Sequence, residues 1–273
     1  MEKFSVAMAV YRNDNPVDFS AAVHSIYTTQ TVKPSEIILI IDGPIPAELE
    51  ETIRELSVEI PIIRTFGFSD NRGHAAARQA GLDAASNELV AIMDADDVSE
   101  SCRFEKQLAA FDKNADIAVI GGQIKEFINT VENVVGERIV PENDDAIKKY
   151  LKSRCPMNLV TVMYRKSAIN AVGGFMDWYC EEDYYLWIRL AEAGYKFANL
   201  PDNLVNVRVG KEMYQRRGGW RYFKSEARLQ RYMFCHRIIS LPRYCYNTLG
   251  RFAIQVAMPN KLRGFVFQKL FRK

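Results

Sequence analysis

ELVAIMDADDVSESCR, residues 88–103, is the stretch that decides the fold of this chain. Leu89 to Met93 is an apolar run with the length of a buried strand, and Asp94, Asp96 and Asp97 follow it at once. Clustered carboxylates at the edge of a core repel one another and are costly to desolvate. A divalent cation removes that cost, and carboxylate oxygens suit Mn2+ or Mg2+. The pattern predicts a metal site beyond the end of a strand, although a polar turn before a capped helix is the plainer interpretation.

Strand-like and helix-like patterns alternate around this stretch. The other apolar runs of strand length are 4–10, 36–41, 60–66 and 117–121, and the helical patterns between them are 16–29, 46–56, 75–85 and 101–112. This alternation predicts an α/β fold with a doubly wound, mainly parallel sheet. Asp42, Asn71 and Asp94 each follow a strand, so they should meet at one sheet edge and form a nucleotide pocket. Neither a GxGxxG nor a GxxxxGK[ST] motif occurs, which argues against a dinucleotide fold and a P-loop.

The second half of the chain is less regular. It predicts a β-hairpin over 123–140, a strand over 159–164, and helices over 144–152, 166–172 and 184–193. Glu181, Glu182 and Asp183 precede the last of these helices. They could simply complement the helix dipole. Alternatively, one acid faces the cleft as a general base, because neighbouring acids and the apolar Trp178 would raise its pKa toward useful basicity.

The amino-acid composition limits the classes of protein to which this chain could belong. The chain has 273 residues and 48% hydrophobic residues, enough for a full core. Its five cysteines form no CxxC pair, so we expect reduced thiols in a cytosolic setting rather than disulfides or a zinc site. We expect no secretory signal after Met1 and no membrane-spanning segment, because no run of about 18 apolar residues occurs.

Charge is distributed unevenly along the chain. Residues 211–273 contain 15 Lys/Arg and 2 Asp/Glu, which leaves the rest of the chain acidic although the total is only +2. The same segment is rich in aromatic residues and should form two or three helices broken at Pro242 and Pro259. Such cationic, aromatic helices are typical of anionic membrane surfaces. Packing against the catalytic domain and nucleic-acid binding are the alternatives, but no known RNA-binding pattern occurs.

The ordered motifs resemble a bacterial family-2 glycosyltransferase with the GT-A fold, of the O-antigen or capsular polysaccharide type. The resemblance covers residues 4 to about 210. Its motifs are Asp42-Gly43, Asn71-x-Gly73 leading to Arg78, MDADD at 93–97, Arg103 with Gln107, Gly173-Gly174-Phe175, EDYYLWIRL at 182–190 and VNVRVGKEMYQRRGG at 205–219.

The resemblance implies a role for individual residues. Asp183 would be the catalytic base, and Asp96 would bind the Mn2+ or Mg2+ ion that bridges the donor pyrophosphate. The residues implied in donor binding are Tyr11, Asp42, Asn71, Arg78 and Asp94. Those implied on the acceptor side are Gly174, Phe175, Trp178 and Glu182.

The resemblance also implies an activity and a place in the cell. The enzyme would be inverting, and would move a hexose from a UDP-sugar to a hydroxyl of an undecaprenyl-diphosphate-linked saccharide, forming a β-glycoside in surface polysaccharide synthesis. Residues 1–210 would be the catalytic domain, with the nucleotide-sugar half at about 1–115 and the acceptor half at about 116–210. Residues 211–273 would hold this cytoplasmic protein peripherally on the inner face of the bacterial cytoplasmic membrane, or form a homodimer.

Two departures from the family pattern stand out. Relatives often have histidines where this chain has Leu159 and, near the end of the domain, Arg208, which could serve as a phosphate-facing cation. A nucleotidyltransferase is the second candidate, but the loop 11–16 lacks the glycines that those enzymes use. A non-catalytic membrane-associated assembly subunit is the third, and retention of both the Asp94/Asp96 pair and Asp183 argues against it. The donor sugar, the acceptor sugar and the linkage stay open.

Overall fold

The computed structural model describes residues 2–210 and 218–258. Within them, nine strands form one sheet: β1 (Phe4–Val10), β2 (Glu36–Ile41), β3 (Ile63–Gly67), β4 (Leu89–Met93), β5 (Val98–Ser99), β6 (Ile117–Phe127), β7 (Val134–Arg138), β8 (Met163–Arg165) and β9 (Lys196–Arg208). The strand order is β3-β2-β1-β4-β8-β6-β9-β5, and β7 pairs with β6.

Nine α-helices accompany the sheet in the part of the chain that the structure describes. Seven belong to the region 1–210: α1 (Pro16–Tyr27), α2 (Ala47–Glu59), α3 (His74–Ala84), α4 (Arg103–Lys113), α5 (Asp144–Leu151), α6 (Lys166–Ala171) and α7 (Glu182–Glu192). Two follow residue 218: α8 (Trp220–Cys235) and α9 (Leu241–Phe252), with a π-helical turn at Ala253–Ala257.

The first half of the chain forms the predicted doubly wound sheet. β1 pairs in parallel with β2 on one side and with β4 on the other, and β2 pairs in parallel with β3. Strands that are covered on both faces consist of continuous apolar residues, as EIILII in β2 does. The strand order reverses at β1, so the ends of β1, β2 and β4 open onto a crevice where doubly wound sheets bind ligands.

The second half extends this sheet with mixed pairings. β8 lies antiparallel between β4 and β6, and the predicted hairpin is confirmed as β6 with β7. The strand predicted over 159–164 is wrong in its first part, where Leu159–Thr161 forms a 3₁₀ turn. There, Thr161 Oγ1 donates to Asn158 O at 2.7 Å, and Asn158 Nδ2 donates to Gly122 O at 2.8 Å. These side chains compete successfully with strand pairing for the backbone.

Arg103 and Gln107, two residues of the family resemblance, have structural roles in α4. Both side chains are fully buried. Arg103 Nη2 donates to Ile92 O at 2.8 Å, and Gln107 Nε2 donates to Ile120 O and Thr161 O, both at 2.9 Å. These hydrogen bonds tie α4 to β4, β6 and the 3₁₀ turn, and so fix the end of β4 that carries the acid cluster.

The tail helices α8 and α9 pack against the rest of the described structure. Leu229 and Met233 of α8 are fully buried in the same apolar cluster as Trp187 of α7. The predicted break near Pro242 is confirmed, since α8 ends before it and Pro242 lies in the first turn of α9. Pro259 and the basic, aromatic residues after it lie outside the described residues. No helix in the described ranges is long and apolar enough to cross a membrane.

Candidate active site

A pocket of about 350 Å³ opens at the ends of β1, β2 and β4. All six residues predicted for the donor and the metal line it: Tyr11, Asp42, Asn71, Arg78, Asp94 and Asp96. The topology alone brings them together, because each follows a parallel strand or begins the helix after one. Asn71, for example, is 29 residues from Asp42, yet its Nδ2 donates to the Asp42 carboxylate at 3.0 Å.

Asp42 organises the loop that leads into α3. Its side chain is buried, and it accepts hydrogen bonds from the backbone N–H groups of Arg72 at 2.6 Å and Gly73 at 2.9 Å. The next residue, Gly43, has φ +86°, and a Cβ there would lie 2.7 Å from Asn71 N. Glycine at 43 therefore permits both the left-handed turn and the close approach of the loop. Asp42 shapes the wall of the pocket as well as lining it.

The three acids after β4 do not share one role. Asp94 and Asp96 line the pocket, whereas Asp97 is buried and accepts a hydrogen bond from Arg208 N at 2.8 Å. Burial, and then the negative charge of Asp94, raises the pKa of Asp96 to about 6. Burial also raises the pKa of Asp14, across the pocket, to about 6, with smaller contributions from Asp96 and Asp94.

The carboxylates of this pocket fit a divalent cation whose ligands come partly from the protein and partly from a substrate. Burial first, and repulsion between neighbouring carboxylates second, raises the pKa of Asp14 and of Asp96. Among residues 2–210 and 218–258, no three acidic, His or Cys side chains converge closely enough to form a complete cation site. Mg2+ and similar ions are commonly held by one or two carboxylates together with substrate phosphates. Asp96, with Asp94 beside it, offers that partial coordination.

Arg78 joins the pocket to the acids at the start of α7. Its guanidinium group forms a close ion pair with Glu182 and lies 3.7 Å from Asp94. The side chains of Arg78 and Glu182 are only 13% and 12% exposed. Burial lowers the pKa of Arg78, but the negative charges of Asp94, Glu182 and Asp183 outweigh it, so its pKa is raised. Glu182, predicted on the acceptor side, therefore contacts the first pocket through Arg78.

Asp183 lies on the other side of this ion pair. It lines a second cavity, which shares no lining residue with the first. Asp183 Oδ1 accepts a hydrogen bond from Tyr184 N at 2.7 Å, and Cys155 Sγ donates to Asp183 Oδ2 at 3.7 Å. Burial raises the pKa of Cys155 well above its usual value, so this thiol stays protonated and can act as the donor. The backbone just before the acids is unusual, since Cys180 has φ +58°.

The structure gives packing roles to three residues predicted on the acceptor side. Phe175 and Trp178 are buried, and Trp178 Nε1 donates to Ser225 O at 3.2 Å. A Cβ at Gly174 would lie 2.1 Å from Gln79 Oε1. These residues shape the segment before the acids, and their direct contact with an acceptor stays a prediction.

Sequence reasoning missed two residues of the first pocket, Asp14 and Tyr164. Asp14 Oδ2 accepts from Tyr11 N at 2.8 Å, and its place in the loop after β1 was the available signal. Tyr164 is fully buried, and its hydroxyl group has no hydrogen-bond partner among the described residues. Nothing in the sequence distinguishes it from a core tyrosine.

Arg208, considered above as a phosphate-facing cation, is engaged by the protein. Its guanidinium group pairs with Asp18 at 2.8 Å and donates to Asp96 O at 3.1 Å and to Asn129 O at 2.9 Å. It also stacks over the ring of Phe127. These contacts hold the backbone of the acid cluster in place.

Comparisons with known proteins agree with this geometry. The sequence profile of glycosyl transferase family 2 matches residues 5–176. An uncharacterized glycosyltransferase from Haemophilus influenzae is 36% identical over 271 residues, which covers 99% of this chain and 100% of that protein. The UDP-Gal:alpha-D-GlcNAc-diphosphoundecaprenol beta-1,3-galactosyltransferase of Escherichia coli is 34% identical, covering 99% of this chain and 97% of its own.

A further relative and a solved structure are also similar to this chain. A glycosyltransferase of amylovoran biosynthesis from Erwinia amylovora is 30% identical, covering 97% of this chain and 98% of its own. The crystal structure of S. aureus TarS matches with a TM-score of 0.58 at 18% identity, covering 95% of this chain. This chain spans about half the length of TarS, covering 50% of it, and the likeness concerns the fold, which is the GT-A fold.

Proposed function

The chain belongs to glycosyl transferase family 2, and we propose that it moves a sugar from a UDP-linked donor to a saccharide carried on undecaprenyl diphosphate. The observation that carries the proposal is the presence of two cavities related by consecutive acids, because Glu182 pairs with Arg78 of the first and Asp183 lines the second. One collects all six predicted donor and metal residues, and the other contains Asp183. The Escherichia coli relative, similar over almost its whole length, is named for a UDP-linked donor and a diphosphoundecaprenol acceptor. The product would enter bacterial surface polysaccharide, such as O-antigen or capsule.

The first pocket would hold the nucleotide and its diphosphate. Arg78 lines this pocket, and its ion pairs with Glu182 and Asp94 hold its guanidinium group beside the acids. Asp96 and Asp94 would hold Mn2+ or Mg2+. When bound, such an ion neutralises negative charge that develops on the departing nucleotide. Asp42 and Asn71 keep the loop before α3 in the shape that surrounds the base and ribose.

Asp183 would act as the general base. An acceptor hydroxyl is a poor nucleophile until a base removes its proton. Asp183 lines the cavity next to the donor pocket, and the hydrogen bonds from Tyr184 N and Cys155 Sγ orient its carboxylate. Direct attack from the acceptor side inverts the anomeric centre, so an α-linked donor gives a β-glycoside without a covalent sugar–enzyme intermediate.

The outer face of α9 supports peripheral association with the inner face of the cytoplasmic membrane. Leu241, Leu249 and Phe252 recur at helical spacing and are 55%, 68% and 41% exposed. Trp220 of α8, 52% exposed, lies edge-on to the Phe252 ring. An apolar stripe on a basic helix is suited to insertion among anionic headgroups, where a lipid-linked acceptor is found.

A transfer assay with matched variants tests the proposed function. Purified protein is given a panel of UDP-sugars and an undecaprenyl-diphosphate-linked saccharide, and the product is detected by mass spectrometry. Asp183→Asn should reduce turnover by about 10²- to 10⁴-fold with donor affinity unchanged. Asp177→Asn, an exposed acid six residues earlier, is the control and should keep full turnover. Unchanged turnover in Asp183→Asn would contradict the base assignment.

A further inference from the structure

The second cavity, of about 440 Å³, is built jointly by the catalytic domain and the tail helices. Its walls come from Arg138 of β7, from residues 153–155 after α5, from residues 180, 181, 183 and 184 around the acids, and from positions between Tyr222 and Gln255 of the tail. Glu182 reaches Arg78 in the donor pocket, whereas the next residue, Asp183, lines this cavity. The boundary between the two cavities therefore passes between two consecutive acids.

The tail is hydrogen-bonded to the domain on two sides of this cavity. On one side, Ser225 Oγ donates to Tyr179 O at 2.6 Å, just before the acids. On the other, Arg251 Nη2 donates to Ser153 O at 2.7 Å, and Asn247 Nδ2 donates to Lys152 O at 2.9 Å. These contacts fix the tail as a wall of the cavity. Because α8 also buries Leu229 and Met233, the tail cannot be removed without opening the core.

The lining has the chemistry of a saccharide site. It combines carboxylates with guanidinium groups in equal number, Glu181, Asp183 and Glu226 with Arg138, Arg154 and Arg251. A wall with so many hydrogen-bonding groups is too polar for an acyl chain, whereas sugar hydroxyl groups both donate and accept hydrogen bonds. Tyr222 and Tyr246 also line the cavity, and the Tyr246 ring is 74% exposed. Aromatic rings offer a flat surface for the apolar C–H face of a pyranose.

We propose that this cavity holds the saccharide end of the acceptor, that α8 and α9 form its outer wall, and that Tyr246 determines its specificity. The inference rests on the proposed glycosyltransferase function and goes beyond it, because it assigns the tail to substrate recognition. The same tail would place its apolar stripe on the membrane and its inner surface on the sugar. The diphosphate and lipid of the acceptor would then extend from the cavity toward the membrane surface.

Protection of a native thiol tests the location of the site. Cys180 is exposed and lines the cavity, whereas Cys245 is exposed on α9 and does not line it. The probe is a saccharide on a short alkyl diphosphate that the wild-type chain glycosylates. At saturation it should abolish alkylation of Cys180 and leave that of Cys245 unchanged, as read by peptide mass spectrometry. UDP alone should protect neither. Alkylation of Cys180 at the same rate with and without the probe would overturn the proposal.

Kinetics of Tyr246 variants test the specificity role. With the same soluble probe, Tyr246→Ala should raise the acceptor KM roughly three- to tenfold, as loss of an aromatic contact does. Tyr246→Phe should restore it, and Cys245→Ala on the same helix is the control. Donor affinity should stay at the wild-type value in all three. An unchanged acceptor KM in Tyr246→Ala, with wild-type transfer intact, would overturn the cavity assignment and leave the proposed function standing. Absence of any transfer by the wild-type chain would instead overturn the function itself.

Discussion

Removal of the Arg78 charge should destabilise the protein through the acid that it leaves behind. Glu182 is 12% exposed and would lose its close ion-pair partner, whereas Asp94 is 46% exposed and can be solvated. Breaking one side of a buried pair costs about 3–5 kcal/mol, so Arg78→Met should lower the free energy of unfolding by about that amount. At roughly 2–4 °C per kcal/mol, Tm should fall by about 6–20 °C.

The double variant separates this explanation from simple loss of contacts. Arg78→Met combined with Glu182→Met removes both charges, and its stability should return to within about 2 kcal/mol of wild type. Urea unfolding of the two single variants, the double variant and wild type completes the cycle. Arg72→Met is the control, because the side chains of Arg72 and Asp70 are 52% and 69% exposed and their pair is worth little. Additive effects of the two substitutions would refute the buried-pair argument.

Three further predictions test other parts of the site. Tyr164→Phe removes a buried hydroxyl group that has no hydrogen-bond partner among the described residues, so the free energy of unfolding should be unchanged or higher. Because Tyr164 lines the first pocket, donor affinity measured by calorimetry should fall roughly three- to tenfold. A lower free energy of unfolding would contradict the prediction. Burial, and then the charge of Glu226, raises the pKa of Glu181, so the native state binds more protons than the unfolded state and stability falls as pH rises above the unfolded pKa. Glu181→Gln should therefore raise Tm more at pH 8 than at pH 5. An equal rise in Tm at both pH values would contradict a raised pKa of Glu181 in the native state. The double variant Leu241→Ser/Leu249→Ser should be recovered with anionic vesicles roughly tenfold less than wild type in flotation assays. Val58→Ser, which changes another exposed apolar residue, is the control and should be recovered as wild type is. Equal recovery of the double variant and the control would show that the apolar stripe does not bind the membrane.

Most of the first half of the fold could be predicted because β1, β2 and β4 are buried on both faces. Such strands consist of continuous apolar runs, and parallel topology brings their ends to one edge. β9 was not predicted, because Pro201 and Asp202 interrupt any alternation and its pairing with β6 shifts register. The pattern of long-range pairing, rather than local preference, makes that segment a strand.

The arrangement of the second half of the chain depended on contacts that no local pattern contains. Arg78 and Glu182 are 104 residues apart, and nothing near either residue indicates the ion pair. The tail was predicted as a basic, aromatic helical segment, and its helices are present. Its burial of Leu229 and its contacts with residues 152–153 and 179 are tertiary features. A basic amphipathic helix looks the same in sequence whether its apolar face meets lipid or a protein core.

Calorimetric titration with UDP, with and without Mn2+, tests most directly whether the first pocket binds a metal-bound nucleotide. UDP should bind the wild-type chain in a metal-dependent manner, and Asp96→Ala should abolish this binding. Asp112→Ala, an exposed acid on α4, should bind as wild type does. Absence of nucleotide binding under every metal condition, or equal binding by Asp96→Ala, would contradict the assignment of this pocket to a metal-bound nucleotide-sugar.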